Sequence, residues 1–208
     1  TAEVTSTSEQ DTAEVGGFIQ YKWYPLAYAL RIGLTLAAIA VAWPMYRTFP
    51  FRLSPLSMVA GVVGVALWVG LCSLKLEERL LPESIAGYLG ISGGRAAFDP
   101  FTQLKGQTLA LVGFLAVRFV GLALVVPLIE EFFLRGFVVR YVENGQWWKL
   151  PIGSSAGIAW GAVIIYAAAT HPGEMVAAVV WFSLVTALVV STKNIWDAVA
   201  AHAVTNLL

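Results

Sequence analysis

The chain has 208 residues, 58% of them hydrophobic and 12% charged, with 13 Lys and Arg balanced by 13 Asp and Glu, and a mean hydropathy of +0.74. A water-soluble domain is excluded, because the apolar surplus lies in runs of about 20 residues, long enough to cross ~30 Å of hydrocarbon. No basic cluster is present, which excludes nucleic acid as a partner, and the single cysteine, Cys72, cannot close an internal disulfide.

Residues 1–20 carry Glu3, Glu9, Asp11 and Glu14 without Lys or Arg, and they lack the basic flank and cleavage site of a signal peptide. They read as a flexible polar tail ahead of a transmembrane helical domain over residues 21–208. The first span is predicted from Trp23 to Trp43, with aromatic rings at both ends, where amphipathic side chains favour the water interface. After Pro44 and Pro50 a Gly-rich second span runs from about Leu53 to Leu74, a composition suited to close helix packing. Lys75 to Lys105 holds most of the extramembrane charge and is broken by Pro82, Gly87, Gly90, Gly93, Gly94 and Pro100, so it reads as a loop with a short interfacial helix.

Gly106 to Tyr141 is helical in pattern for 36 residues, about 54 Å if straight, which is too long for a single crossing. A bend or reversal is therefore predicted between Gly121 and Glu130, with Pro127 as its cause. Further spans are predicted at about Ser154 to Thr170 and Gly173 to Ser191, with a last helix from Ile195. Basic residues at the loop ends divide five against five, which assigns no orientation. The expected fold is all-α: a polytopic membrane helix bundle of six to seven helices with a polar intramembrane site, and the lipid bilayer as surroundings.

Ionisable groups inside hydrocarbon cost several kcal/mol each and mark a site by default. They fall in three places: Glu130, Glu131 and Arg135; His171 at the end of an apolar run; and His202 with Asn206 on the final helix. Glu131 and Arg135 are four apart with the acid first, the favourable order for a helical ion pair. Glu130 lies about 100° away around the helix and is left to other work. An acid beside a second acid in a low-dielectric setting can exchange protons near neutrality, as a general base must. His202 and Asn206, also four apart, put an imidazole and an amide donor on one face, where they could hold a developing oxyanion.

Glu130-Glu131-x-x-x-Arg135, then His171, then His202-x-x-x-Asn206 resembles the three motifs of the CPBP family, the CAAX prenyl endopeptidases and bacteriocin-processing relatives. The resemblance covers about residues 105–208, read as the catalytic core. The stretch Thr192-Lys193-Asn194-Ile195-Trp196 through Asn206 is similar to a bacterial CAAX-protease-related subgroup associated with exosortase and PEP-CTERM sorting, which implies a bacterial cell membrane. One position departs: where the family places Phe four residues before the histidine, this chain has Ala167, with Tyr166 one residue earlier. The chain also ends two residues after Asn206, earlier than the final helix of a complete member.

The resemblance implies an intramembrane glutamate endopeptidase acting on a membrane-associated protein or peptide, with no cofactor and no obligatory metal. By motif, Glu130 and His171 would activate a water, His202 and Asn206 would stabilise the oxyanion, and Glu131 and Arg135 would support the site. Two other readings use the same residues. One is a zinc-dependent hydrolase with Glu130, His171 and His202 as ligands; the other is a scaffold, immunity-type protein or proton-coupled carrier, the last weakened by two halves that do not match.

Overall fold

The computed structural model describes residues 14–15, 19–88 and 98–208. Most of the expected polar tail, residues 1–13 and 16–18, lies outside the described residues, as do Gly90, Gly93 and Gly94 of the expected loop. A two-residue antiparallel pairing joins β1 (Glu14–Val15) to β2 (Ile19–Gln20). The rest of the described structure is helical: α1 (Tyr24–Tyr46), α2 (Pro55–Ser73), α3 (Leu76–Leu80), α4 (Glu83–Tyr88), α5 (Pro100–Gln103), α6 (Thr108–Glu143), α7 (Gly157–Thr170), α8 (Met175–Thr192) and α9 (Ile195–Leu207).

The protein is an all-α membrane bundle. Four helical stretches among the described residues are long and apolar enough to cross a membrane: Tyr21–Tyr46, Pro55–Leu80, Thr108–Glu143 and Pro172–Thr192. With the shorter α7 and α9 they make six principal helices, the lower of the two expected numbers. Leu26, Leu30 and Leu34 of α1 remain 60 to 64% exposed, a pattern that would drive aggregation in water and costs nothing against lipid chains. The segment expected as a loop holds three short helices. In α5, Asp99 supplies the N-cap, accepting from Phe101 N at 3.0 Å and from the Thr102 hydroxyl at 2.5 Å, and these bonds, the hydroxyl's first, hold its carboxyl below the ordinary range.

The irregularity expected between Gly121 and Glu130 takes the form of a π-helical turn within a continuous helix, without a reversal of the chain. The backbone stays helical through Thr108–Glu143, with wide π-helical turns at Gly121–Val125 and Phe132–Val138. The first π turn ends two residues before Pro127, whose ring and missing N–H are incompatible with a regular upstream turn. A reversal is not needed to bring Glu130 and His171 to similar depth, because both are measured from the connection between α6 and α7. Glu130 lies 13 residues from the end of α6 at Glu143, and His171 follows the 14 residues of α7, so each is about 20 Å along its helix from the same connection. That connection is tied together where Glu143 accepts from the Ser154 hydroxyl at 2.5 Å and from Ala156 N at 2.6 Å.

The chain divides into two compact units, Thr1–Pro44 with Arg95–Gly121, and Met45–Gly94 with Leu122–Leu208. In the first, Tyr24 and Tyr28 of α1 pack with Phe98 and with Phe114 of α6, ring centroids lying 4.9 to 6.1 Å apart. Gly121 is there because a Cβ would come within 2.5 Å of the Tyr28 hydroxyl. The second unit has its core between α6, α7 and α8, at Leu134, Val163, Ala167, Ala178, Phe182 and Val185. Against this core α2 packs on α9 through small residues. A Cβ on Gly61 would lie 2.6 Å from Val204, and one on Gly64 would lie 2.7 Å from Trp181 Nε1. Such close approach is how helices without a hydrophobic drive associate in lipid.

Candidate active site

Within the second unit the C-terminal half of α6 faces the middle of α9. Glu131 is fully buried and forms an ion pair with Arg135, as the spacing predicted. The structure adds a partner that no local spacing reveals: Glu131 Oε1 lies 2.9 Å from His202 Nδ1, across 71 residues of sequence. Arg135 also donates to the Phe182 carbonyl at 2.8 Å, which anchors the pair to α8. A buried ion pair depends on further hydrogen bonds to its remaining donors and acceptors, and here α8 and α9 supply two of them while Arg135 Nε stays without a partner.

Glu130 is not isolated. Its carboxylate Oε2 lies 4.0 Å from His202 Nε2, and its side chain is 29% exposed where that of Glu131 is fully enclosed. His202 thus stands between two carboxylates, Nδ1 on the buried one and Nε2 towards the accessible one. Because an ionised Glu131 can only accept, His202 Nδ1 carries a proton, which fixes the ring as an Asp fixes the histidine of a hydrolase triad. If Nε2 is protonated too, two carboxylates face an imidazolium and a guanidinium, and the four groups sum to zero charge, the balance that a low-dielectric site requires.

A cavity of about 280 Å³ opens beside this cluster. Its polar lining is His171, His202, Thr205 and Asn206, and α2 contributes Val65, Trp68 and Val69. His202 belongs to both the ionic cluster and the cavity and so joins Glu130 to the other predicted residues. The Asn206 amide donates to the Leu122 carbonyl at 2.9 Å, which sets its orientation and leaves the second N–H of the same group. His171 follows the last turn of α7 and lies 2.9 Å from Thr170 Oγ1, whose proton goes to the Tyr166 carbonyl at 2.8 Å. A proton on His171 Nδ1 would make Nε2 the acceptor nitrogen. Its ring is flanked by Trp68 at 5.5 Å and Phe182 at 5.6 Å between centroids.

Six residues singled out in the sequence thus fall in one region of one unit: Glu130, Glu131, Arg135 and His202 as an ionic cluster, and His171, His202 and Asn206 around one cavity. Sequence reasoning missed Trp68, Trp181 and Phe182, the aromatic wall that carries the two imidazoles. Their signal was indistinguishable from ordinary core or interfacial aromatics. The departure at Ala167 is occupied by a fully buried small side chain, and Tyr166 packs on Phe182 at 5.5 Å and Phe133 at 6.2 Å. The zinc arrangement finds no support in side-chain grouping: among the described residues no three His, Cys, Asp or Glu side chains come together as a ligand set.

The fold and the site together define a class, the multi-span helical membrane proteins with a buried ionic cluster, here joined through His202 to a cavity that His171 and Asn206 also line. Residues 112–208 match the family described as type II CAAX prenyl endopeptidase Rce1-like. That match spans just under half of the chain and takes in Glu130, Glu131, Arg135, His171, His202 and Asn206, so the C-terminal part is similar to the CAAX prenyl endopeptidases. No curated protein and no solved structure matches the chain.

Proposed function

We propose that the protein is an intramembrane endopeptidase of bacterial cell membranes that cleaves a membrane-associated protein or peptide through a glutamate-activated water. The observation that carries this reading is the contact of Glu130 with a histidine that a second, buried glutamate orients, at the edge of a cavity that His171 and Asn206 also line. Glu130 is the one carboxylate of the cluster with solvent access, and it accepts the proton of the attacking water. His171, with Nε2 as acceptor, positions that water. Attack on the carbonyl carbon creates an oxyanion, which accepts from the second Asn206 N–H and from protonated His202 Nε2. Glu130 then returns the proton to the departing amine, so that the water is consumed and two peptide ends are released.

Glu131 and Arg135 make no contact with substrate in this scheme. Glu131 orients His202 through Nδ1, and Arg135 fixes Glu131 in place. The test is Glu130→Gln in reconstituted membranes with a panel of membrane-anchored peptides, read by intact mass. General-base catalysis is worth about 10²- to 10⁴-fold, so turnover should fall by at least about 100-fold while the protein remains folded in detergent. Full turnover by Glu130→Gln would overturn the reading.

A further inference from the structure

The family match begins at residue 112, but one wall of the cavity comes from α2, outside the matched residues. We infer that Trp68 of α2 sets the size of the apolar substrate side chain that lies beside the scissile bond. This inference rests on the proteolytic reading given above.

The polar groups of the cavity fix where a reacting carbonyl must sit: near His171, just after α7, and His202 and Asn206 of α9. The side chain next to that carbonyl must then occupy the remaining wall, and that wall is apolar, formed by Val65, Trp68, Trp181 and Phe182. Trp68 is its outermost large group. It is half-buried, it meets the His171 ring edge to face at 81°, and it meets Trp181 at a centroid distance of 6.4 Å. Trp181 in turn is held by its own bond to Thr205 at 3.1 Å and meets His202 edge to face at 4.6 Å between centroids, so it cannot yield without moving the site. Among the described residues Trp68 makes no such side-chain hydrogen bond, and truncating it enlarges the cavity at the α2 wall.

Volume decides what fits. An apolar cavity of about 150 Å³ accepts benzene, so 280 Å³ holds one ring or a branched aliphatic group together with the adjoining peptide unit. A two-ring side chain competes with that peptide unit for the same space. Removing the indole of Trp68 supplies about the missing space. Hydrophobic pockets discriminate by about 10- to 200-fold per methylene-sized difference, so the change in preference should be large enough to read directly.

The experiment places wild type, Trp68→Ala, Trp68→Phe and Glu130→Gln proteins in liposomes with a membrane-anchored peptide library of mixed sequence, and maps the cleaved bonds by mass spectrometry. The wild type should show Val, Leu and Phe beside the cut bond and exclude Trp. Trp68→Ala should raise the share of cuts beside Trp at least tenfold relative to Leu, with Trp68→Phe between. The ratio between two side chains is the readout, because general damage to the fold lowers both cleavages and leaves their ratio unchanged. Glu130-dependent cleavage with the same flanking preference in all three active proteins would overturn the inference and leave the proteolytic reading intact. A wild type indistinguishable from Glu130→Gln across the library would overturn both.

Discussion

Arg135 and Glu131 illustrate how much of the site's energy is committed to groups that never meet substrate. Arg135 is 2% exposed and Glu131 is fully buried. Removing one partner of such a pair strands a charge and costs about 3 to 5 kcal/mol, whereas replacing both with apolar groups of similar volume is often neutral or stabilising. Glu131→Gln keeps an acceptor for His202 Nδ1 but leaves Arg135 without a counter-charge, and it should lower stability by about that amount in a detergent unfolding titration. The double variant Glu131→Leu/Arg135→Met should recover most of the loss. It should be inactive, because His202 Nδ1 would then have no acceptor to orient the ring. Recovery of activity in the double variant would show that the pair contributes only to folding.

Positioning His202 is the work of whole helices, and α9 is fixed at both ends. At its start, Asn194 donates to the Arg52 carbonyl at 2.8 Å, Trp196 Nε1 donates to the Phe49 carbonyl at 3.0 Å, and Asp197 accepts from Ser54 N at 2.8 Å. Three side chains thereby lock the rotation of α9 against the segment that leads into α2. Further along, Gly61 and Gly64 allow α2 to approach until Thr205 donates to the Gly61 carbonyl at 3.1 Å. Gly64→Val should push α2 away, since its Cβ would lie 2.7 Å from Trp181 Nε1 and 3.0 Å from Thr205 Oγ1. Overpacking of this kind costs about 1 to 3 kcal/mol, and the displaced Trp181 would carry His202 with it, so activity should fall with stability. Gly70→Ala on the same helix meets nothing within 4 Å and should match wild type in activity and in thermal midpoint, which separates the local clash from a general intolerance of α2. The sequence disclosed the ion pair of Glu131 with Arg135 and the shared face of His202 with Asn206, because helical periodicity of four is a local rule. It disclosed neither Glu131 on His202 nor the wall of Trp68 and Trp181, because contacts between helices depend on rotation and on the two π turns, which leave no periodic signature.

At the scale of the molecule, composition alone carried the class of fold: runs of apolar residues admit only helices or closed barrels in lipid, and the runs here are of helical length. What composition could not divide was the chain itself. The reading that confined the catalytic core to residues 105–208 followed the motifs, all of which lie there, and the family match from residue 112 does the same. Packing draws a different line. The unit that contains the site takes in Met45–Gly94 as well as Leu122–Leu208, and α2, with no motif of its own, carries Val65, Trp68 and Val69 of the cavity and the glycine seam on which α9 rests. Residues 95–208 expressed alone should therefore insert and remain helical by circular dichroism, since each helix satisfies its own backbone in lipid, yet show no Glu130-dependent cleavage. Co-expression with residues 1–94 as a separate chain should restore cleavage, because helices preformed in the membrane can reassociate through their small-residue faces. Restoration should fail when the 1–94 chain carries Gly64→Val, and a 95–208 chain that cleaves as well alone as with its complement would place the whole site within the motif-bearing half.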